Sequence, residues 1–389
     1  MNRLIRICKG SIRDGCQVLE DLRFCDCTDP RDRIYVAQNL GTHSVASIDP
    51  DYTRSWQMCY TDWAWQYVRD FNTLDFLIHL EEKRASSGSL PSWVPDWSQP
   101  RQPTQLAAYA NGGLAVSWSC TADGSLRVQG VVVAKVTDVH FDEALTEYSP
   151  CEDHLLSLYR LVVFALAEGN AATCESFSRA ILKDHMAHNM VAAGPKYMSL
   201  SECVDFLTRL QSTGSMATAN EEAFELARQM LVYYYGRAML KISGSRLGLG
   251  PRTSSKGDLI VVLLGCKVPL VLRKLPCGRF TVMGKATCSG CMAGEAVLGD
   301  LPEGVDFVYY SWSGISRPAF RDRDSGEIFF DDPRVRSGVP RRRSRGSDSK
   351  YPWLLPGRSG GKVVIFEDGQ CDFDQLKDRG VDLQDFVLV

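Results

Sequence analysis

Gly257-Asp258-Leu259-Ile260-Val261-Val262-Leu263-Leu264 is followed by Pro269-Leu270-Val271-Leu272-Arg273 and then by Phe280-Thr281-Val282-Met283-Gly284-Lys285-Ala286. These short runs are rich in β-branched and apolar residues, and glycine or proline sets each one off, which is the signature of strands joined by tight turns. The spacing predicts strands at 259–264, 270–274 and 280–286. Glycine alternating with β-branched runs suits a curled sheet or small barrel. Gly257-Asp258 reads as a tight turn, and Arg273 as either an exposed strand residue or the partner of Asp258 or Glu295.

A second β pattern lies upstream. Ala115 to Cys120 and Leu126 to Val139, the latter containing Val131-Val132-Val133, flank an Asp123-Gly124 turn, as a hairpin does. Between the two β segments, residues 152–167, 175–188, 199–210 and 220–240 read as helices. The last repeats Phe224, Ala227, Leu231 and Tyr235 on one face.

The N-terminal third is helical and aromatic. Asp29 before Pro30 marks a helix start, since the missing proline N–H costs nothing in the first turn. Thr53 is placed to cap a second helix, which carries Trp56, Tyr60, Trp63, Ala64 and Tyr67 on one stripe. A short third helix is predicted over Thr73 to Leu80. Proline and glycine then exclude helix from Ser86 to Pro103. Pro91, Trp93, Pro95 and Trp97 suggest an extended strap pressed onto a core, because each indole buries a large apolar area.

The fold class is therefore α+β. A helical segment with its Trp/Pro strap occupies 1–100, a β segment 101–150, a helical segment 151–240 and a small barrel-like β unit 241–300. A variable tail fills 301–389. Residues 334–350, with Arg334, Arg336, Arg341, Arg342, Arg343 and Arg345 among Ser, Gly and Pro, read as a disordered basic loop. Its run around Ser344 resembles a nuclear-import signal, although a solvated linker is the plainer reading. Val363 to Glu367 and Phe386 to Val389 are short strand-like pieces.

Several motifs occur in a fixed order: Asp29-Pro30-Arg31-Asp32-Arg33-Ile34-Tyr35, Asp49-Pro50-Asp51-Tyr52, Leu90-Pro91-Ser92-Trp93-Val94-Pro95-Asp96-Trp97, Gly248-Leu249-Gly250-Pro251, and the strand runs quoted above, ending in Gly290-Cys291-Met292-Ala293-Gly294-Glu295-Ala296. Together they resemble the C-terminal region of fungal heterokaryon-incompatibility (HET) domain proteins over roughly residues 15–300. Cys291 stands where that pattern has isoleucine, and Thr287-Cys288 where it has a tyrosine-valine pair. The HET domain, which precedes these motifs in the family and resembles the TIR fold, has no matching position here. The resemblance implies a scaffold or regulator of non-self recognition and programmed cell death, with a protein partner such as a HET-domain protein. It marks Asp29, Pro30, Arg31, Asp32, Trp93, Pro95, Trp97, Gly250, Pro251, Gly257, Asp258, Arg273, Gly294 and Glu295 as structural motif residues.

Composition narrows the rest. Across 389 residues, 44 basic and 47 acidic side chains leave a formal net charge of −3, so no global field draws nucleic acid or anionic membrane. No apolar run approaches the roughly 20 residues of a membrane helix. Fourteen scattered cysteines, with no secretory pattern at the N-terminus, read as reduced thiols in the cytosol or nucleus. Cys288 and Cys291 form the sole C-x-x-C and could join Cys266 and Cys277 around zinc, but zinc sites usually pair two such knuckles, so turn cysteines are the better reading. His185 and His188 lack a third ligand and read as a solvated helix end. Asp29, Arg31, Asp32 and Arg33 could bind a polar partner, yet capping and ion pairing explain them without one. No cofactor and no catalytic residue is indicated. The rival readings are an enzyme or accessory protein of a small-molecule pathway with a dispersed site, and a degenerate family remnant.

Overall fold

A computed structural model describes residues 15–41, 45–80, 90–99, 108–141, 236–244, 246–312, 315–335, 376–377 and 379–389, together with Asp205 and Arg209. The helices read at 152–167 and 175–188, His185 and His188, the strand-like piece at 363–367 and the basic run around Ser344 lie outside them. So do the helix read at 199–210, apart from Asp205 and Arg209, and most of the one read at 220–240.

Three helices open the described chain: α1 (Gly15–Leu22), α2 (Arg31–Leu40) and α3 (Trp56–Phe71), followed by a 3-10 turn at Asp75–His79. The cap of α3 is Ser55, whose hydroxyl accepts from Met58 N at 3.3 Å. Thr53 does not reach that position because Asp51 captures it: the Asp51 carboxylate accepts from both the Thr53 N–H and its hydroxyl, the local turn that aspartate favours. Asn72 ends the helix in the left-handed conformation, φ 49°. Within the stretch read as a third helix, only Asp75–His79 is helical, and it winds as 3-10 rather than α. The Gly265 carbonyl accepts from Leu74 N and the Thr73 hydroxyl, which fixes the start of the turn against the β unit.

The strands are β1 (Trp118–Cys120), β2 (Leu126–His140), β3 (Arg237–Ile242), β4 (Arg246–Pro251), β5 (Leu259–Leu263), β6 (Leu270–Lys274), β7 (Phe280–Lys285), β8 (Thr287–Cys288), β9 (Val305–Trp312), β10 (Ile315–Asp322), β11 (Ile328–Phe329) and β12 (Gln384–Leu388), with a short α4 (Glu295–Leu298) after β8. Nine of them share one sheet, and β11-β10-β9 form a small antiparallel sheet. The strands at Leu126–His140 and Leu259–Leu263 pair directly.

The large sheet closes on itself. β12 pairs antiparallel with the start of β2, from Gln384↔Gly130 to Leu388↔Leu126, and parallel with β7 at Leu388↔Phe280. β7, β6, β5 and β2 follow by antiparallel pairing, so the path returns to β12. Past the irregularities at Val132/Ala134 and Val136/Asp138, β3 pairs along the other end of β2 and leads to β4 and β8. Ala286 alone separates β8 from β7, so this end closes too. Ile260 to Leu264 and Leu270 to Leu272 are fully buried, which is why these runs show no polar alternation.

Residues 237–240 belong to β3, not to the end of a helix. Gly236 turns the chain with φ 64°, and the guanidinium of Arg237 donates inward to the carbonyls of Leu249 and Lys285 at 3.0 and 2.8 Å. Ala238, Met239 and Leu240 are all fully buried, so no amphipathic helical face ends here. The strands β9 to β11 had no counterpart in the sequence reading, although Val305 to Trp312 carries the β-branched and aromatic residues of a strand.

The strap joins helices to barrel. Trp93 packs edge-on against Trp65 and Phe76, and Trp97 against Tyr60 and Trp63, all on α3 or the 3-10 turn. Between them and the barrel, Ser92 N donates to the Val389 carbonyl at 2.7 Å and Ser92 Oγ accepts from Val282 N at 2.9 Å. Pro95 is buried in the same stretch. Trp97→Ala should therefore destabilise the chain by about 3–5 kcal/mol, as large aromatic truncations in cores do. Urea unfolding reads this directly, and a midpoint equal to that of the parent would show that the indole is not part of the core.

Candidate functional site

Polar residues gather at four places among those described. The first is the start of α2. Asp29 accepts from Arg31 N at 3.0 Å, as an N-cap oxygen does two residues ahead, with Pro30 between them in the first turn. Its carboxylate also receives Arg31 Nε at 2.9 Å and Nη2 at 2.6 Å. Arg31 Nη1 donates to the carbonyls of Tyr52 and Arg54, and the guanidinium lies over the Tyr52 ring. The Tyr52 hydroxyl donates to Asp32 at 2.6 Å, and Arg33 donates to the Cys25 carbonyl at 3.1 Å. Tyr60 of α3 donates to the Pro30 carbonyl at 2.9 Å.

A depression of about 250 Å³ opens beside this cluster, lined by Thr28, Asp29, Pro30, Arg31, Ser55 and Trp56. The electrostatics run inward. The Arg31 side chain holds the Asp29 carboxyl below the usual carboxylate range, and Asp32, accepting the phenol proton, pushes Tyr52 up to about 12. The Arg31 fork is spent on Asp29 and two backbone carbonyls, so the cluster locks α2 to the 49–55 loop. The sequence reading had this network lock the first helix onto the β units; its partners instead lie in the loop before α3.

The second place is the turn before β5. Asp258, almost fully buried, pairs with Arg273 through two bonds of 2.9 Å and also accepts from Ser255 N. Of the partners read for Arg273, Asp258 is the one the fold supplies. Gly257 makes the preceding turn with φ 101°. Gly250 lies under Leu240, where an added Cβ would come within 2.6 Å of Leu240 Cδ1, and Pro251 packs against Gly284. Glu295 instead turns back to accept from Ala293 N at 2.7 Å.

Arg334, read as the first residue of the basic loop, is buried. It forms a bidentate pair with Asp332, 2.9 and 2.7 Å, and donates to the carbonyls of Ala293 and Gly299 at 2.6 and 2.7 Å. Gly294, at φ 89°, leaves the room: an added Cβ would sit 3.1 Å from Arg334 Nη2. A fourth ionic group also escaped the sequence reading. Glu20 Oε2 lies 2.9 Å from His79 Nδ1 and 3.1 Å from Arg23 Nε, all nearly solvent-free. Only the i, i+3 spacing of Glu20 and Arg23 hinted at it, and that spacing is common on helix surfaces.

The cysteines are dispersed. Cys288 and Cys291 form a disulfide, Cys277 is exposed and Cys266 is buried. Burial pushes the Cys266 thiol up to about 12, which opposes the thiolate that zinc requires. Among the described residues no three His, Cys, Asp or Glu side chains are grouped as around a metal, and no helix is long and apolar enough to cross a membrane.

The fold thus defines an α+β protein whose helices and strap are pinned to a closed barrel. Residues 196–308 match the family model of the Het-6 beta-barrel domain. Heterokaryon incompatibility protein 6, OR allele, of Neurospora crassa is 22% identical over 348 residues, taking in 72% of this chain and 50% of that protein. The chain therefore spans about half the length of this curated relative. These two matches support a HET-family protein, and neither shows a HET domain. No solved structure matches. Two strands that complete the barrel, β2 and β12, lie outside residues 196–308.

Two outcomes follow from the ionic groups. Arg334→Ala strands a buried carboxylate and should cost about 3–5 kcal/mol in urea unfolding. Arg334→Lys should recover only part of this, because an ammonium cannot make the bidentate pair; full recovery would reduce the contact to charge alone. Asp29 ionises more readily folded than unfolded, so its contribution to stability is present above the ordinary value of 3.8 and is lost as pH falls through the lower folded one. Arg31→Ala should move the Asp29 carboxyl up toward 3.8 in an NMR titration; an unmoved titration would assign the depression to another cause.

Proposed function

We propose that this chain is a non-catalytic scaffold or regulator of fungal non-self recognition, acting in heterokaryon incompatibility and the cell death that follows it. It works in the cytosol or nucleus through a protein partner, for which a HET-domain protein is the candidate. The observation that carries this reading is the Het-6 barrel match over residues 196–308, together with a relative that bears the name heterokaryon incompatibility protein. The geometry is consistent with it. The charged motif residues Asp29, Arg31, Asp258, Arg273 and Glu295 bond to their own chain, as a framework does.

The test is genetic and biochemical. Deleting the gene should change the outcome of hyphal fusion with at least one tester strain, and the tagged chain should co-purify with a HET-domain protein from the same cells. Expression of the 389 residues alone should leave cells viable, and the purified chain should release no nicotinamide from NAD above the blank. Unchanged fusion with every tester would sink the reading, and sustained NAD turnover would replace it with an enzymatic one.

A further inference from the structure

We propose that Cys288 and Cys291 form a redox-responsive latch that couples closure of the barrel to the docking of Arg334. The inference stands apart from the incompatibility reading and rests on where the disulfide lies. Cys288 ends β8, whose pairing with β4 at Gly248↔Cys288 closes one end of the barrel. Cys291 begins the turn that leads to α4. In that turn the Met292 carbonyl accepts from Tyr109 N at 2.8 Å, and the Ala293 carbonyl accepts from Arg334 at 2.6 Å. The bond therefore ties a barrel strand to the segment that holds Arg334 and, through the Arg334 carbonyl, Arg379.

Both redox states fit the site. Cys291 Sγ lies 3.3 Å from the Cys288 carbonyl, so a reduced Cys291 finds its acceptor already in place. The sulfurs are buried, but the two residues between them are not: Ser289 is half-buried and Gly290 is exposed. Gly290 turns the chain at φ 76°, and Arg246 donates to the Ser289 carbonyl at 3.3 Å. Opening this four-residue turn exposes the bond without unfolding the barrel.

The chemistry is exchange with a glutathione-type disulfide. One cysteine thiolate attacks the glutathione disulfide and expels one glutathione thiolate, leaving a mixed disulfide. The second cysteine thiolate then attacks the mixed disulfide at the protein sulfur and expels the second. Two electrons pass to glutathione and both cysteine protons are released. Excess glutathione thiol runs the same steps backwards.

The full chain, equilibrated in buffers of graded glutathione thiol-to-disulfide ratio, is acid-quenched, alkylated and mapped by mass spectrometry, with hydrogen exchange followed in parallel. Cys288 and Cys291 should convert together, while the buried Cys266 stays a thiol throughout. On reduction, amide exchange in 287–298 and 332–335 should rise about tenfold or more, with 259–272 unchanged. Cys288→Ser with Cys291→Ser should give the reduced exchange pattern in every buffer; should that variant not fold, the reduced parent chain carries the same readout. The proposal is overturned by thiols at both positions in all buffers, by a bond that survives excess reductant in the folded protein, or by exchange rates that ignore the redox state.

Discussion

The pairing of β12 between β2 and β7 is the contact on which the rest of the molecule depends. A sheet with two open edges exposes unpaired N–H and C=O groups that must be covered or paired. Here the far C-terminal strand supplies the cover: its backbone completes the ring, and Phe386 and Leu388 are buried in the core beneath it. Ser92 then uses its N–H and hydroxyl to join Val389 and Val282. One serine of the strap thus ties the aromatic layer of Trp93 and Trp97 to the two strands that meet at the closure. Helices, strap and barrel share a single contiguous core because this seam is continuous.

The charged residues follow a second constraint, which is that a buried charge must be paired and hydrogen-bonded. Asp258 with Arg273, Asp332 with Arg334, and Glu20 with Arg23 and His79 each answer it, and each spans a junction. The first joins the turn before β5 to β6, the second lets Arg334 join the 332–335 segment to the Ala293 and Gly299 carbonyls on either side of α4, and the third joins α1 to the 3-10 turn. In this chain the ionic groups set the geometry of connections, and the apolar core supplies the attraction.

The fold was most legible where one physical signal dominated. Leu259 to Leu264 and Leu270 to Lys274 could be read because short apolar runs set off by turn residues admit few alternatives. The Trp93 and Trp97 strap was legible for a related reason: two indoles between prolines cannot form a helix and have no reason to stay in water. Residues 237–240 misread because alanine, methionine and leucine are strong helix formers, and only pairing with β2 and β4 overrides that preference. Ser55 displaced Thr53 as a cap through a side-chain competition two residues away. At the candidate site, Asp29, Arg31, Asp258 and Arg273 stood out through their motifs. Arg334 did not, because its neighbours on the C-terminal side gave it the look of a solvated basic run, and its partners Ala293 and Gly299 come from distant sequence.

Closure of the ring also sets an order of events during synthesis. Ser92 and Val389 are 297 positions apart, so at ribosomal speeds the strap waits roughly 15–60 s for the strand it must clasp. From the synthesis of β2 onward, the edge that β12 will cover stands open, next to apolar side chains already made. Nascent chains of this architecture thus carry an unprotected β edge from the synthesis of β2 until β12 emerges. Chaperone demand and aggregation should accordingly be governed by how promptly β12 emerges and docks, more than by the stability of the finished barrel.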